Sequence, residues 1–171
     1  MKFSTRRLTV MGLLIALEIV LSRFLSISTP VTKIGFAFVP VVIAAVLLGP
    51  LPAALVAALA DFLGAVLFPI GAYFPGFTLT AFLMGLCYGF FLRDSLSLPR
   101  ILLASAVHQL LLSLLLNTLW LAVMNGAPYG PLLLTRIPQC ALLFAVQVAV
   151  IRALAALPGD LIGRARRMLE T

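Results

Sequence analysis

A chain of 171 residues that is 63% hydrophobic, 10% charged and has a mean hydropathy of +1.21 has no stretch left over for a soluble domain. The net charge of +7 does not form a nucleic-acid stripe: Lys2, Arg6 and Arg7 precede the first apolar run, and Arg164, Arg166 and Arg167 follow the last, where charges set membrane topology. The length fits one integral membrane domain over residues 1–171, an all-α bundle of six transmembrane helices of about 20 residues each.

Helix 1 is expected from about Leu8 to Ile27. Its basic start and apolar run resemble a secretory leader, but Glu18 and Arg23 interrupt the run and no A-x-A site follows, which predicts a retained helix. SISTPVTK, with Pro30, breaks the pattern. Helix 2 follows from about Ile34 to Leu48 and stops at Gly49-Pro50-Leu51-Pro52. Helix 3, alanine-rich, covers about Ala53 to Phe68, and helix 4 about Phe77 to Leu92. RDSLSLPR leads into helix 5, about Arg100 to Met124, and NGAPYGP into helix 6, about Leu132 to Leu157, which ends at Pro158-Gly159. Helices 2, 3 and 4 are short for a full span, so they run untilted or stop short of one interface.

The segment between helices 3 and 4, Leu67 to Thr80, is the least ordinary stretch. It holds Pro69, Pro75, Gly71 and Gly76, with Phe68, Tyr73, Phe74 and Phe77 at no helical or strand spacing. Irregular apolar backbone at a membrane face lines or covers a cavity, because unpaired backbone is too costly against lipid. The competing reading is an aromatic belt at headgroup level.

An even number of spans puts both termini on one side, and the basic ends select the cytoplasm. Arg93 and Arg100 fall on that side, while the opposite connections carry only Lys33, so the aromatic loop faces out. Depth then sorts the polar residues. Ser22, Arg23, Ser26, Thr78, Thr80, Asn117, Trp120, Arg136 and Gln139 lie in the outer half, with Asp61 near the middle. The inner half is apolar apart from Glu18 and the pair His108-Gln109. A channel needs polar lining at all depths. This distribution predicts a cup open to the outside and sealed below. Arg23 and Arg136 select an anion, most simply carboxylates, and the aromatics a flat ring system.

Each residue has a plainer reading. The two arginines snorkel to the interface, Asp61 neutralises one of them, Trp120 belongs to a belt, Asn117 glues helices, and His108 packs. Cys87 and Cys140 read as packing residues. The sequence has no G-x-x-x-x-G-K-[ST], no H-E-x-x-H, no acid-rich metal motif and no paired acids, so neither catalysis, a cofactor nor a resident metal is expected, and any energy source lies in a partner. Gly12-x-x-x-Ala16 on helix 1 offers a surface on which a partner helix can approach closely, although Arg23 falls near the same face. The stripe Ala53, Ala57, Ala60 and Gly64 on helix 3 reads as packing inside the bundle.

ALEIVLSRFLSI (Ala16 to Ile27), KIGFAFVP (Lys33 to Pro40), the run from Leu48 to Ala81, LNTLWL (Leu116 to Leu121) and the Arg136 region together resemble the substrate-binding S components of energy-coupling factor (ECF) vitamin transporters, and within them the folate-specific type. The match runs in order along nearly the whole chain. The resemblance implies an outward-facing vitamin cup gated by the 1–2 and 3–4 loops. It implies transport across a prokaryotic plasma membrane through a membrane coupling subunit and two cytosolic ATPases. It assigns Gly12 and Ala16 to docking on that subunit, and Arg23, Phe74, Pro75, Arg136 and Gln139 to folate contact, beside Tyr73 from the aromatic loop and Thr78, Asn117 and Trp120 from the cup. A basic residue is expected near Gln139, which makes its transfer the loosest. Rival readings are an S component for riboflavin or thiamine and a ligand-free membrane scaffold. Riboflavin carries no anion for the arginines, and a scaffold leaves the outer polar cluster unexplained.

Overall fold

The computed structural model describes residues 4–28, 33–156 and 159–170. Lys2, Pro30, Pro158 and the side chain of Lys33 lie outside what it describes. Among the described residues there are seven helices: α1 Thr5–Arg23, α2 Phe38–Leu48, α3 Pro50–Leu67, α4 Pro75–Leu92, α5 Leu98–Asn125, α6 Tyr129–Ala155 and α7 Gly159–Glu170. The fold is all-helical but for a two-residue antiparallel ladder that pairs Ile27 with Ile34 and Ser28 with Lys33. That ladder takes up residues expected in helices 1 and 2, so α1 ends at Arg23 and α2 begins at Phe38.

Four helices, α3 to α6, are long and apolar enough to cross a membrane. The other two expected spans differ in kind: α2 is apolar but has only 11 residues, and α1 carries Arg6, Arg7, Glu18 and Arg23. Each of α3 to α6 starts at or before the proline expected to precede it. Proline fits the first helical turn because its missing N–H has no intrahelical partner there. Gly49, with φ of 96°, is at once the end of α2 and the residue before α3, so one glycine turns the chain where two prolines suggested a longer break.

The core is built from small residues at close range. Val41, Val42, Ala44, Ala45, Ala53, Val56 and Ala57 are buried, with Tyr88, Leu92 and Ile101 as the large members. A Cβ added to Gly85 of α4 would lie 2.5 Å from the Ala53 carbonyl oxygen and the Ala54 Cα. The alanine stripe of α3 therefore packs against α4 inside the bundle, backbone on backbone.

α7 was not expected. Its arginines, placed in the sequence as topological charges, tie one end of the bundle shut. Arg166 donates from Nε to the Val46 carbonyl at 2.8 Å and from Nη2 to the Arg93 carbonyl. Arg7 Nε donates to the Leu169 carbonyl at 2.8 Å, and Arg6 Nη1 to that of Met168 at 3.3 Å. These carbonyls belong to the last turns of α2 and α7 and to the residue after α4, where the helical ladder leaves them without partners. The opposite end, where α1 leads to the ladder and α3 to the aromatic loop, is not sealed in this way.

Candidate ligand-binding cavity

At the loop end the helices part around a cavity of about 370 Å³, within the range of small-molecule pockets. Arg23 closes α1, where a cation is favourable against the helix dipole. Its Nη2 lies 4.0 Å from Asp61 Oδ1 and donates to the Asp61 backbone carbonyl at 3.4 Å. Gly64 makes room for it: a Cβ there would sit 2.9 Å from Arg23 Nε. Gly64 thus leaves the alanine stripe and serves the arginine. The angular conflict between Arg23 and the Gly12–Ala16 face is resolved by reach. Gly12 and Ala16 are exposed, while the long Arg23 side chain turns inward to α3 and keeps 11% of its surface.

Asp61 lines the cavity and pairs with Arg23, the neutralising role of its plainer reading. Its Oδ2 accepts from Thr78 Oγ1 at 2.7 Å, and Thr78 Oγ1 lies 3.2 Å from the Tyr73 hydroxyl. Thr78 has spent its only proton on the carboxylate, so Tyr73 is the donor. A chain of polar contacts therefore runs from the aromatic loop through Thr78 and Asp61 to Arg23.

Arg136 differs from Arg23. It is 5% exposed and, among the described residues, forms no salt bridge; its Nε and Nη1 have no hydrogen-bond partner. A buried guanidinium with unspent donors is costly, and an anionic ligand would relieve the cost. It lines the cavity with Gln139, and Pro138 between them withholds one N–H from the α6 ladder.

The loop divides. Tyr73 and Phe74 line the cavity, whereas Phe68 is exposed and packs edge-on against Phe24 at 5.2 Å. Phe74 rests on Trp120 at 5.7 Å and on Phe77 at 6.2 Å. Trp120 donates from Nε1 to Thr80 Oγ1 at 3.0 Å, and Gly76 lets it lie there, since a Cβ would come 2.5 Å from the indole.

Of the predicted contact residues, Arg23, Tyr73, Phe74, Asn117, Arg136 and Gln139 come together on the cavity wall. Pro75, Thr78 and Trp120 do not line it: Pro75 opens α4 and is exposed, Thr78 stands behind Asp61, and Trp120 backs Phe74. Sequence reasoning noted the pair His108-Gln109 without giving it a place in the site, and missed Ser113 and Gln147; these four residues form the floor. Three of these lie in a π-helical stretch of α5, Val107–Leu116, an irregularity frequent at functional sites. The legible signal was Gln147, a glutamine inside helix 6.

The family model for the substrate-specific component of ECF transporters matches residues 6–158. The chain is 45% identical over 142 residues to the folate transporter FolT of Clostridium novyi (strain NT), covering 82% of this chain and 83% of the relative. It is 33% identical over 156 residues to the folate transporter FolT of Leuconostoc mesenteroides subsp. mesenteroides, covering 87% of this chain and 84% of that one. Among solved structures, FolT bound with folic acid superposes with a TM-score of 0.85 at 35% identity, covering 89% of this chain and 93% of the other. With a family match over most of its length and a relative 45% identical over 82% of the chain, the chain belongs to the substrate-specific components of ECF transporters.

Proposed function

We propose that this chain binds folate in the cavity and delivers it across the membrane in complex with a coupling subunit. The observation that carries the reading is Arg136, a buried guanidinium with unspent donors on the wall of a cavity also lined by Arg23 and Phe74. Folate has a hydrogen-bonding bicyclic ring, an aromatic spacer and a glutamate with two carboxylates, and such a wall offers a partner to each. Relatives named as folate transporters, and a like fold holding folic acid, support the same ligand. Arg23, Tyr73, Phe74, Asn117, Arg136 and Gln139 make the contacts; Thr78 and Trp120 support them from behind.

In this reading the chain is one membrane domain with six spans, α1 to α6, in a prokaryotic plasma membrane. Both termini are cytoplasmic, and α7 lies along the inner face. It is not an enzyme. Energy arrives from two cytosolic ATPases through the membrane coupling subunit, which docks on Gly12 and Ala16.

Protein purified from cells grown in rich medium and then denatured should release a supernatant with pterin absorbance in the ultraviolet. Titration with oxidised and reduced folates should then give saturable binding. A supernatant without a chromophore, together with no binding, would return the scaffold reading. The loop gives a separate test. Thiol labelling of Phe74→Cys should slow when folate is added, because the ring system covers that wall. Labelling that is equal with and without folate would leave the loop as an aromatic belt.

A further inference from the structure

His108 lies in the π-helical stretch of α5 and lines the cavity. Its Nδ1 is engaged by two neighbouring helices, 2.9 Å from the Tyr88 hydroxyl and 2.9 Å from Gln147 Nε2, with Gln147 Oε1 farther at 3.3 Å. Tyr88 is fully buried and takes no part in the cavity wall. Among the described residues its hydroxyl hydrogen has no acceptor but His108 Nδ1. A proton on Nδ1 would strand that hydrogen in the core, at the cost of an unmade buried bond. Nδ1 is therefore the acceptor, by inference from the network. The proton sits on Nε2, which has no hydrogen-bond partner among the described residues.

Beside it, Gln109 is 1% exposed, lines the cavity, and its Oε1 has no partner. The floor thus holds a neutral donor next to a neutral, unpartnered acceptor. The cations lie elsewhere: Arg23 is at the loop end of α1, and Arg136 precedes Gln147 on α6 by about 16 Å at 1.5 Å per residue.

We infer that His108 is a specificity-determining residue, a donor held in one tautomer by Tyr88 and Gln147, which together with Gln109 reads a lactam-like edge of the ligand's heterocycle, carbonyl oxygen on His108 Nε2 and ring N–H on Gln109 Oε1. This rests on the folate reading and adds the ligand's direction: heterocycle to the floor, carboxylates toward the arginines. Tyr88 is a positioning residue for it.

The test compares folic acid with p-aminobenzoylglutamate, its fragment without the bicyclic ring, on the full-length purified protein. His108→Phe should weaken folic acid about tenfold or more, the scale of one lost buried hydrogen bond, and leave the fragment's affinity unchanged. His108→Gln, which keeps an N–H donor, should recover part of the loss. Tyr88→Phe should weaken folic acid several-fold and add nothing in the His108→Phe background, the signature of two residues acting as one unit. If His108→Phe misfolds, the Tyr88→Phe result on the two ligands decides alone. Equal losses on both ligands, or no loss on folic acid, would overturn the role of His108 while the folate reading stands. A wild-type protein that binds no folic acid would overturn both.

Discussion

Arg136→Ala should weaken folate binding by about 2–5 kcal/mol, the usual cost of removing one partner of a buried, hydrogen-bonded charge pair. The reasoning starts from what the guanidinium lacks without ligand. It is 5% exposed, has no salt bridge among the described residues, and keeps Nε and Nη1 unspent. Its desolvation has been met in folding and is compensated only when a carboxylate arrives, so the full interaction is realised in the complex. Arg23→Ala should cost less, because Arg23 already leans on Asp61 through a 4.0 Å ion pair and a backbone carbonyl, and the ligand replaces contacts that exist. Arg136→Lys should not restore affinity, since a single ammonium cannot present the planar fork that grips both carboxylate oxygens. Isothermal titration of the three variants in detergent measures all of this. A loss below about 0.5 kcal/mol for both alanine variants would show that the arginines only reach for the interface and do not hold the ligand.

How much of this was legible follows from the physics each feature depends on. The long apolar runs gave α3 to α6, because lipid demands them. Their starts lie earlier than the sequence suggests, for the same cause each time: proline reads as a stop before Ala53, Phe77, Arg100 and Leu132, and in each helix it sits in the first turn. Arg23 and Arg136 stood out as charges among apolar residues, which a sequence shows directly. Their different states did not, because pairing with Asp61 depends on α1 crossing α3 and on the gap at Gly64. α7 was missed because its arginines were assigned to topology. Only the fold reveals that Arg166 reaches carbonyls of Val46 and Arg93, 120 and 73 residues away. The cavity floor went unassigned for a related reason. His108 alone in an apolar helix reads as a packing residue, and its partners Tyr88 and Gln147 come from two other helices, 20 and 39 residues distant in sequence. Thr78 and Trp120 stand out by type but lie one layer behind the cavity wall, since depth along a helix says nothing about which residue stands in front.

Gly12→Leu combined with Ala16→Leu should abolish folate uptake and co-purification with the coupling subunit while leaving folate binding to the solitary protein intact. Both positions are exposed on α1, and a Cβ added at Gly12 would meet no atom within 4 Å. A side chain at Gly12 therefore starts in open space, and one at Ala16 starts from an exposed position. The buried side of α1 is carried instead by Met11, Leu14, Glu18 and Ser22, and the last two line the cavity. One helix thus lines the cavity with one side and offers small residues on the other. A partner helix can approach such a stripe closely, and leucine, by its bulk, would hold it off. Uptake by whole cells, pull-down with the coupling subunit and titration of the isolated variant separate the outcomes. Near wild-type transport by the double variant would place the docking face elsewhere; the alanine stripe of α3 is no substitute, because Ala53, Ala57 and Ala60 are buried against the bundle. Loss of binding in the isolated variant would mean that the pair supports the cavity after all, and that docking on α1 is wrong.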